Sequence, residues 1–154
     1  NSEAVAKLRA LKGRDEGTPI LVLASDDGMI QKHVEVVPEQ AWDLYDAADR
    51  PTTIVLPKGK GVDASIMGPG GSLAIRRINE PWCEFVIRGL GKPVASSSAN
   101  LSGVPTPKSF AEIDSSICSG VDFVSSHRKT EVLSSPPSFM VSFDEEGRFK
   151  ILRK

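Results

Sequence analysis

Cysteine and histidine are scarce in this sequence, and their scarcity narrows the kinds of site it can hold. The two cysteines, Cys83 and Cys118, lack the C-x-x-C spacing of a zinc or redox site. We expect both to be reduced, buried thiols because a lone cysteine packs as a small apolar side chain. The two histidines, His33 and His127, have no metal-ligand spacing between them. No Ser-His-Asp arrangement is readable either, so an enzyme with this sequence would act by positioning and charge stabilisation rather than through a covalent nucleophile.

Long apolar runs and a charge excess are also missing. No stretch approaches the ~20 apolar residues that cross a bilayer, and residues 1–9 lack the pattern of a secretory signal. Lys and Arg number 19 and Asp and Glu number 20, so the formal net charge is −1. A balanced charge gives no whole-molecule field that would attract nucleic acid or an anionic membrane. We therefore expect a cytoplasmic protein without a membrane partner, which binds any phosphate through a local cluster of cations.

The pattern of apolar residues predicts interleaved strands and helices. The 154 residues are 40% hydrophobic and 25% charged, as in an ordinary globular domain. Helices are predicted over residues 2–12, 38–48, 82–90 and 107–117. Ser2 is the predicted N-cap of the first helix, and Gly13, Gly89 and Gly91 are predicted to end helices. Strands are predicted over residues 20–24, 53–56, 73–76, 93–96 and 121–124, and a hairpin over 139–143 and 149–152. This order indicates an α/β fold with one twisted, open, mixed sheet in a single domain over residues 1–154, whose most linker-like piece is 134–138.

A polar turn follows the strand predicted at residues 93–96. It contains Ser96, Ser97, Ser98, Asn100 and Ser102. Ligands of α/β sheets collect outside the carboxyl ends of strands, where hydroxyl and amide groups bind phosphate, carboxylate or an adenine edge. The alternative is an ordinary turn rich in Ser and Asn, and the residues alone leave that alternative open.

Four cations lie at the end of the first predicted helix. Lys7 and Arg9 are expected on a solvated face, whereas Lys12 and Arg14 flank Gly13, where the chain leaves the helix. A Lys point charge and a planar Arg fork at that place could both hold phosphate oxygens. The alternative is that these cations only complement the helix dipole.

Arg76 and Arg77 end the strand predicted at residues 73–76. Successive strand residues face opposite sides, so one of the two arginines must point toward the crevice at the strand ends. The other reading, that such an arginine is only a salt-bridge partner, also stays open. The glycine-rich stretch before this strand matches neither a P-loop nor a dinucleotide-binding fingerprint.

Residues 92–105 resemble the signature P-[LIV]-x-x-[ST]-S-A-N-x-S-G-x-P of the YrdC family. Other landmarks of that family follow in order along the chain. They are a K-x-R motif at Lys12 to Arg14, a P-x-T strand at residues 51–56, a strand ending at Arg76, a late strand from Ser138, and a closing strand with Arg153. The chain is therefore identified as a member of the YrdC family of L-threonylcarbamoyladenylate synthases.

The resemblance implies a YrdC-like α/β fold, of the type also described as similar to double-stranded-RNA-binding domains, with a deep cationic cavity. It implies an enzyme that condenses L-threonine, bicarbonate and ATP to L-threonylcarbamoyl-AMP and pyrophosphate, with Mg²⁺ on the ATP. The product would feed threonylcarbamoyladenosine modification of tRNA, which makes tRNA and the transfer machinery further partners. By motif matching, catalysis would fall to Lys12, Arg14, Ser98 and Asn100, ATP binding to Lys12, Arg14, Asn100 and Arg153, and threonine binding to Arg76, Ser98 and Ser138. No metal-ligand residue is implied.

The sequence departs from the family pattern at several places. A helix and a strand with a P-T-[DE]-T-x-Y-G-L motif precede the first helix in the family, and they are expected to be missing here. Thr18, Ile78 and Phe139 replace a Lys or Asn, a Pro and a Thr of the family pattern. Two other functions therefore remain open. One is a non-catalytic module that binds tRNA or double-stranded RNA through the same cavity, and the other is a regulatory sensor that binds ATP and ignores threonine.

Overall fold

The computed structural model describes residues 1–15, 17–132 and 138–154. The chain divides into two compact units. Unit 1 is Asn1–Glu16 with Ser97–Pro136, and unit 2 is Gly17–Ser96 with Pro137–Lys154. The expectation of a single domain stays a prediction. Most of the linker-like piece, residues 134–137, lies outside the described residues.

Unit 2 contains a six-stranded mixed sheet with the strand order β4-β1-β3-β2-β5-β6. The strands are β1 Leu21–Ala24, β2 Thr52–Leu56, β3 Leu73–Arg77, β4 Val94–Ser96, β5 Phe139–Phe143 and β6 Phe149–Arg153. The pairs β1 with β3 and β2 with β5 are parallel, and the other pairs are antiparallel. Ile54, Leu56, Leu73 and Ile75 are completely buried at the centre of this sheet. The predicted mixed α/β sheet, including its closing hairpin, is confirmed.

Three helices belong to unit 2: α2 Asp27–His33, α3 Glu39–Asp46 and α4 Pro81–Leu90. The predictions for α3 and α4 are confirmed within one or two residues, except that Gly89 lies inside α4 and Gly91 alone ends it. Helix α2 was not predicted because it has only seven residues. Its signal is Asp26, whose carboxylate accepts a hydrogen bond of 2.8 Å from the Met29 amide and so caps the first turn.

One arginine ties both α2 and α3 to the sheet. The Arg77 guanidinium donates to Asp27 of α2 at 2.8 Å and to Asp46 of α3 at 2.6 Å. In addition, the Tyr45 hydroxyl of α3 donates to the Ile75 carbonyl of β3 at 2.8 Å. Of the two arginines at the end of β3, Arg77 is therefore the one that forms salt bridges. Arg76 is the one that remains for a ligand.

Unit 1 contains α1 Ser2–Lys12 and α5 Ser115–Ser119. Helix α1 is confirmed, although Asn1 and not Ser2 is its N-cap. The helix predicted over residues 107–117 is wrong: the segment forms a short 3₁₀ turn, Phe110–Glu112, and then α5. Asp114 breaks the longer helix because its carboxylate caps α5 through the Ser116 amide at 2.8 Å.

The strand predicted over residues 121–124 is also wrong. These residues are turn and coil, and Phe123 is 76% exposed. The short apolar run has no neighbouring strand to pair with, and an isolated run of four residues does not form a strand alone. Neither cysteine forms a disulfide in the described structure, and both are half-buried rather than fully buried as predicted. In the described part of the chain, no helix is long and apolar enough to cross a membrane.

Gly13 and Gly89 both have open space for a Cβ atom, but their backbone conformations differ. This difference predicts opposite effects of Gly→Ala substitution on stability. A Cβ added at Gly89 or at Gly13 would meet no atom within 4 Å. Gly89 is helical, whereas Gly13 has φ of 57° in the left-handed region. We expect Gly89→Ala to raise the free energy of unfolding by about 0.5–1 kcal/mol and Gly13→Ala to lower it by about 1 kcal/mol. Urea denaturation of both variants tests this, and equal signs would contradict it.

Candidate functional site

Two cations, Lys12 and Arg14, lie at the end of helix α1. Gly13 adopts the left-handed conformation, and the Arg14 amide donates to the Arg9 carbonyl at 3.0 Å. This closure is the usual way in which a helix ends at a glycine. Lys12 is consequently the last helical residue, and Arg14 lies just beyond the cap.

The polar turn lies against this basic helix end. The Lys12 ammonium donates a hydrogen bond to the Ser98 carbonyl, and the Ser102 amide donates to the Lys12 carbonyl at 2.9 Å. The Arg14 guanidinium reaches the Ser97 hydroxyl at the long distance of 3.5 Å. All of these residues belong to unit 1. Two segments separated by more than 80 residues in sequence are therefore joined at one place.

The ammonium of Lys12 is buried beside another cation. Lys12 is only 7% exposed, and no carboxylate among the described residues forms an ion pair with it. Burial, and then the neighbouring Arg14, lower the pKa of the Lys12 ammonium. Burial, and then Arg9, lower the pKa of the Arg14 guanidinium in the same way. A ligand anion would relieve both effects because it supplies the opposite charge.

Asn100 shapes the turn from within. Its amide nitrogen donates to the Val104 carbonyl at 2.7 Å and to the Leu101 carbonyl at 3.1 Å. Its side-chain oxygen is buried and has no hydrogen-bond partner in the described structure. A buried acceptor without a partner is costly, so a donor group of a ligand would stabilise it. Ser98, by contrast, is exposed, and the contact it makes with Lys12 comes from its backbone.

Unit 2 contains a second basic cluster. The Arg76 Nε donates to the Thr53 hydroxyl at 3.1 Å, and the Thr53 hydroxyl lies 3.1 Å from the Ser138 hydroxyl. Arg153 donates twice to Ser138, from Nη2 to the hydroxyl at 2.8 Å and from Nε to the carbonyl at 2.9 Å. The structure thus brings together three of the predicted site residues, Arg76, Ser138 and Arg153. Thr53, which was not predicted as a site residue, connects Arg76 to Ser138.

Strand register explains this second cluster. Ile54 pairs with Ile75 in the antiparallel β2–β3 ladder, so the same register places Thr53 opposite Arg76. Ser138 directly precedes β5, which runs parallel to β2, and Met140 of β5 pairs with Arg153 of β6. The four side chains therefore come from four neighbouring strands of one sheet, at the carboxyl ends of β3 and β6 and at the amino ends of β2 and β5.

This second cluster also lacks negative charge. Neither Arg76 nor Arg153 forms an ion pair with a carboxylate in residues 1–15, 17–132 and 138–154. Burial, and then the neighbouring Arg153, lower the pKa of the Arg76 guanidinium. Thr53 is fully buried and Ser138 is 6% exposed, so two nearly dry hydroxyls accompany the two guanidinium groups.

Thr53 is the residue of this cluster that the sequence did not assign to the site. It was noticed only as part of a P-x-T strand. A hydroxyl in the β-branched run at residues 52–55 is a weak signal, because Thr is common in strands for its packing alone. Only the pairing of β2 with β3 and β5 shows that this hydroxyl contacts predicted site residues.

Other parts of the described structure contribute less to a site. An apolar depression of about 120 Å³ beside α3 and the β5–β6 hairpin contains none of the predicted residues except the departure Phe139. No group of three or more His, Cys, Asp or Glu side chains among the described residues is arranged to hold a metal ion. The predicted deep cationic cavity stays a prediction.

Fold and site together define an α/β protein in which the buried Lys12 and the half-buried Arg76 lie near small hydroxyl-bearing residues, with no carboxylate paired to either cation among the described residues. The chain matches, over residues 1–154, the family model of Sua5, YciO and YrdC, which is described as "Telomere recombination". The protein belongs to this family, which confirms the resemblance found in the sequence.

Comparison with individual proteins supports the same placement. The threonylcarbamoyl-AMP synthase of Pseudoalteromonas translucida is 30% identical over 118 residues, which cover 75% of this chain and 63% of that enzyme. Sua5 of P. abyssi in complex with L-threonine has a TM-score of 0.81 at 24% identity, over 93% of this chain and 42% of that protein. Full-length HypF in its phosphate- and nucleotide-bound form has a TM-score of 0.76 at 24% identity, over 99% of this chain and 24% of that protein. The two structures support the fold. The chain spans less than two thirds of the length of the synthase.

Proposed function

We propose that this protein is an L-threonylcarbamoyladenylate synthase, a nucleotidyltransferase that forms L-threonylcarbamoyl-AMP and pyrophosphate from L-threonine, bicarbonate and ATP. The observation that carries the proposal is the pair of basic clusters, one in each unit, with no carboxylate paired to Lys12, Arg76 or Arg153 in the described structure. The substrates have two strongly anionic parts, a triphosphate and a carboxylate. Charge-assisted hydrogen bonds from Lys and Arg suit both.

The cluster of unit 1 is proposed to bind ATP. Lys12 and Arg14 would hold phosphate oxygens, and Asn100 would present its unpaired side-chain oxygen to a donor of the nucleotide, such as an amino or hydroxyl group. Ser98 is proposed to contribute its exposed hydroxyl to the reacting groups, while its carbonyl holds Lys12. The nucleotide-bound HypF is a structural relative that binds such a ligand.

The cluster of unit 2 is proposed to bind the threonine carboxylate through Arg76 and Ser138. The relative Sua5 was solved with L-threonine, which supports this assignment. Arg153 was predicted to hold the nucleotide, yet its described hydrogen bonds go to Ser138. Its assignment to ATP remains a proposal that ligand mapping can decide.

Mg²⁺ is proposed to arrive on the triphosphate as part of the substrate. Both clusters consist of cations, hydroxyls and one amide, and this donor set repels a metal ion rather than binding it. When bound to the triphosphate, Mg²⁺ would neutralise charge on the departing pyrophosphate. The residues of the chain would supply the remaining positive charge and would orient the substrates.

The cellular role proposed for the product is threonylcarbamoyladenosine modification of tRNA in the cytoplasm. The Pseudoalteromonas relative is named for the formation of threonylcarbamoyl-AMP, the adenylate that would serve this role. The net charge of −1 favours recognition of small substrates over a broad tRNA-binding surface in this chain.

Release of pyrophosphate tests the proposed reaction. The chain is incubated with L-threonine, bicarbonate, Mg²⁺ and ATP labelled in the γ-phosphate, and labelled pyrophosphate is measured. We expect release that requires both threonine and bicarbonate. Release that is independent of threonine would contradict the proposal, and ATP binding without any response to threonine in calorimetry would favour a nucleotide sensor.

RNA binding is the second candidate function, favoured by the clustered cations alone. If several phosphates of an RNA bound to these cations, affinity would fall steeply with salt because counterions are released on binding. We expect weak binding of tRNA to this chain with little dependence on ionic strength. A steep salt dependence at submicromolar affinity would instead favour the RNA-binding function.

The pKa of Lys12 predicts proton uptake when ATP binds. In the free protein this pKa is lowered, so part of the ammonium loses its proton at alkaline pH. A bound triphosphate raises the pKa again because it favours the charged form. Calorimetric heats at alkaline pH should therefore depend on the ionisation enthalpy of the buffer, and affinity should fall as pH rises. Lys12→Met should abolish this uptake, and an unchanged uptake in that variant would assign it to another group.

A further inference from the structure

The hydroxyl of Thr53 occupies the centre of the cluster in unit 2. It accepts a hydrogen bond from Arg76 Nε at 3.1 Å and lies 3.1 Å from the Ser138 hydroxyl. The Ser138 hydroxyl in turn accepts from Arg153 Nη2 at 2.8 Å. Each hydroxyl has one proton to donate, and guanidinium groups only donate.

Counting protons fixes the direction of the central hydrogen bond. One of the two hydroxyls must donate to the other, and the remaining hydroxyl keeps a proton for a different acceptor. If Ser138 donated, the proton of the fully buried Thr53 would have no acceptor in this cluster, which is costly. If Thr53 donates, the proton left over belongs to Ser138, which retains some exposure. The second arrangement satisfies the Thr53 hydroxyl and leaves the spare proton on Ser138, where a ligand can accept it.

We propose that Thr53 is the positioning residue of this cluster: it fixes the Arg76 guanidinium through Nε and, by donating to Ser138, directs the Ser138 proton toward the ligand. The cluster then presents only donors, namely the Arg76 Nη groups, the Arg153 guanidinium and the Ser138 hydroxyl. A group that only accepts hydrogen bonds, such as a carboxylate, matches it, and a carboxamide does not. This choice of L-threonine as the ligand rests on the proposed function, whereas the positioning itself does not.

Thr53→Val removes the hydroxyl with little change of shape, and Thr53→Ser keeps it. The matched control is Thr52→Val on the same strand, because Thr52 is also buried, at 5% exposure, but donates its hydroxyl to the Arg50 carbonyl at 3.1 Å. The first readout is nuclear magnetic resonance of the arginine Nε–H groups, with the Arg76 signal identified by its loss in Arg76→Lys. The second is calorimetry with L-threonine and with L-threoninamide.

We expect a slowly exchanging Arg76 Nε–H signal in the parent protein, in Thr53→Ser and in Thr52→Val, and at least tenfold faster exchange in Thr53→Val. This readout needs no ligand, so an unchanged exchange rate in Thr53→Val overturns the positioning whatever the substrate is. In calorimetry, Thr53→Val should weaken L-threonine binding about tenfold or more, Thr53→Ser should restore it, and the amide should bind weakly to all variants. Absent threonine binding in the parent protein, with the exchange result as expected, would contradict the proposed function and leave Thr53 as a positioning residue.

Discussion

Lys12→Met should lower pyrophosphate release about a hundredfold while reducing the free energy of unfolding by about 1 kcal/mol. Lys12 is buried and has no carboxylate partner among the described residues, so its ammonium should interact with a phosphate more strongly than an exposed lysine does. The small loss of stability comes from its hydrogen bond to the Ser98 carbonyl, which methionine cannot replace. Steady-state kinetics with varied ATP and urea denaturation measure the two effects.

Lys7→Met is the matched control for this change. Lys7 lies on the same helix but is exposed, and its ion pair is with Glu3 at 3.1 Å. We expect both the activity and the stability of Lys7→Met to stay close to those of the parent protein.

Ser98→Ala separates the two roles of Ser98, because it removes the hydroxyl and keeps the carbonyl that accepts from Lys12. A larger effect of Lys12→Met on unfolding than on turnover would show that Lys12 is structural.

Arg76→Lys should weaken L-threonine binding by about 10- to 100-fold although the positive charge is kept. Arg76 can donate from Nε to Thr53 and from its Nη groups to a carboxylate because its guanidinium is a planar fork. A lysine ammonium has no such fork and cannot reproduce both contacts in this geometry. The KM for threonine should rise, and the KM for ATP should change much less, because Arg76 belongs to the cluster of unit 2. Calorimetry with threonine alone checks the binding effect directly.

Arg77→Lys provides the comparison on the adjacent position of β3. Arg77 bridges Asp27 and Asp46, so its replacement should lower stability by about 1–2 kcal/mol and leave threonine binding nearly unchanged. The two arginines should therefore show opposite profiles. If Arg77→Lys weakened threonine binding as much as Arg76→Lys, the separation of roles along this strand would be wrong.

Sequence reasoning succeeded where a local pattern and its physical cause coincide. Gly13 predicted the end of α1, and Lys12 and Arg14 were singled out because they flank that glycine. The apolar runs of β1 to β3 identified central strands because the side chains of these strands are buried or half-buried on both faces of the sheet. Alternation along β3 predicted that the side chains of Arg76 and Arg77 point to opposite faces of the sheet. Only the structure shows that Arg77 is the one paired with α2 and α3.

The errors have equally local causes. The run at residues 121–124 has strand composition, but strand formation depends on a pairing partner that the sequence does not reveal. The helix predicted over residues 107–117 was too long because Asp114 was not recognised as a cap. Thr53 was missed as a site residue because its role depends on the register of β2 against two other strands. Contacts across strands far apart in sequence are the information that a single sequence withholds.

The central claim is that ATP and L-threonine each bind to one of the two basic clusters. Amide and side-chain chemical shifts of the isotopically labelled chain, followed during separate titrations with Mg²⁺–ATP and with L-threonine, test it most directly. We predict that ATP shifts the signals of Lys12, Arg14 and Asn100, and that threonine shifts those of Thr53, Arg76 and Ser138. Saturating titrations that leave both groups of signals unmoved, or that move the threonine group with ATP alone, would contradict the account.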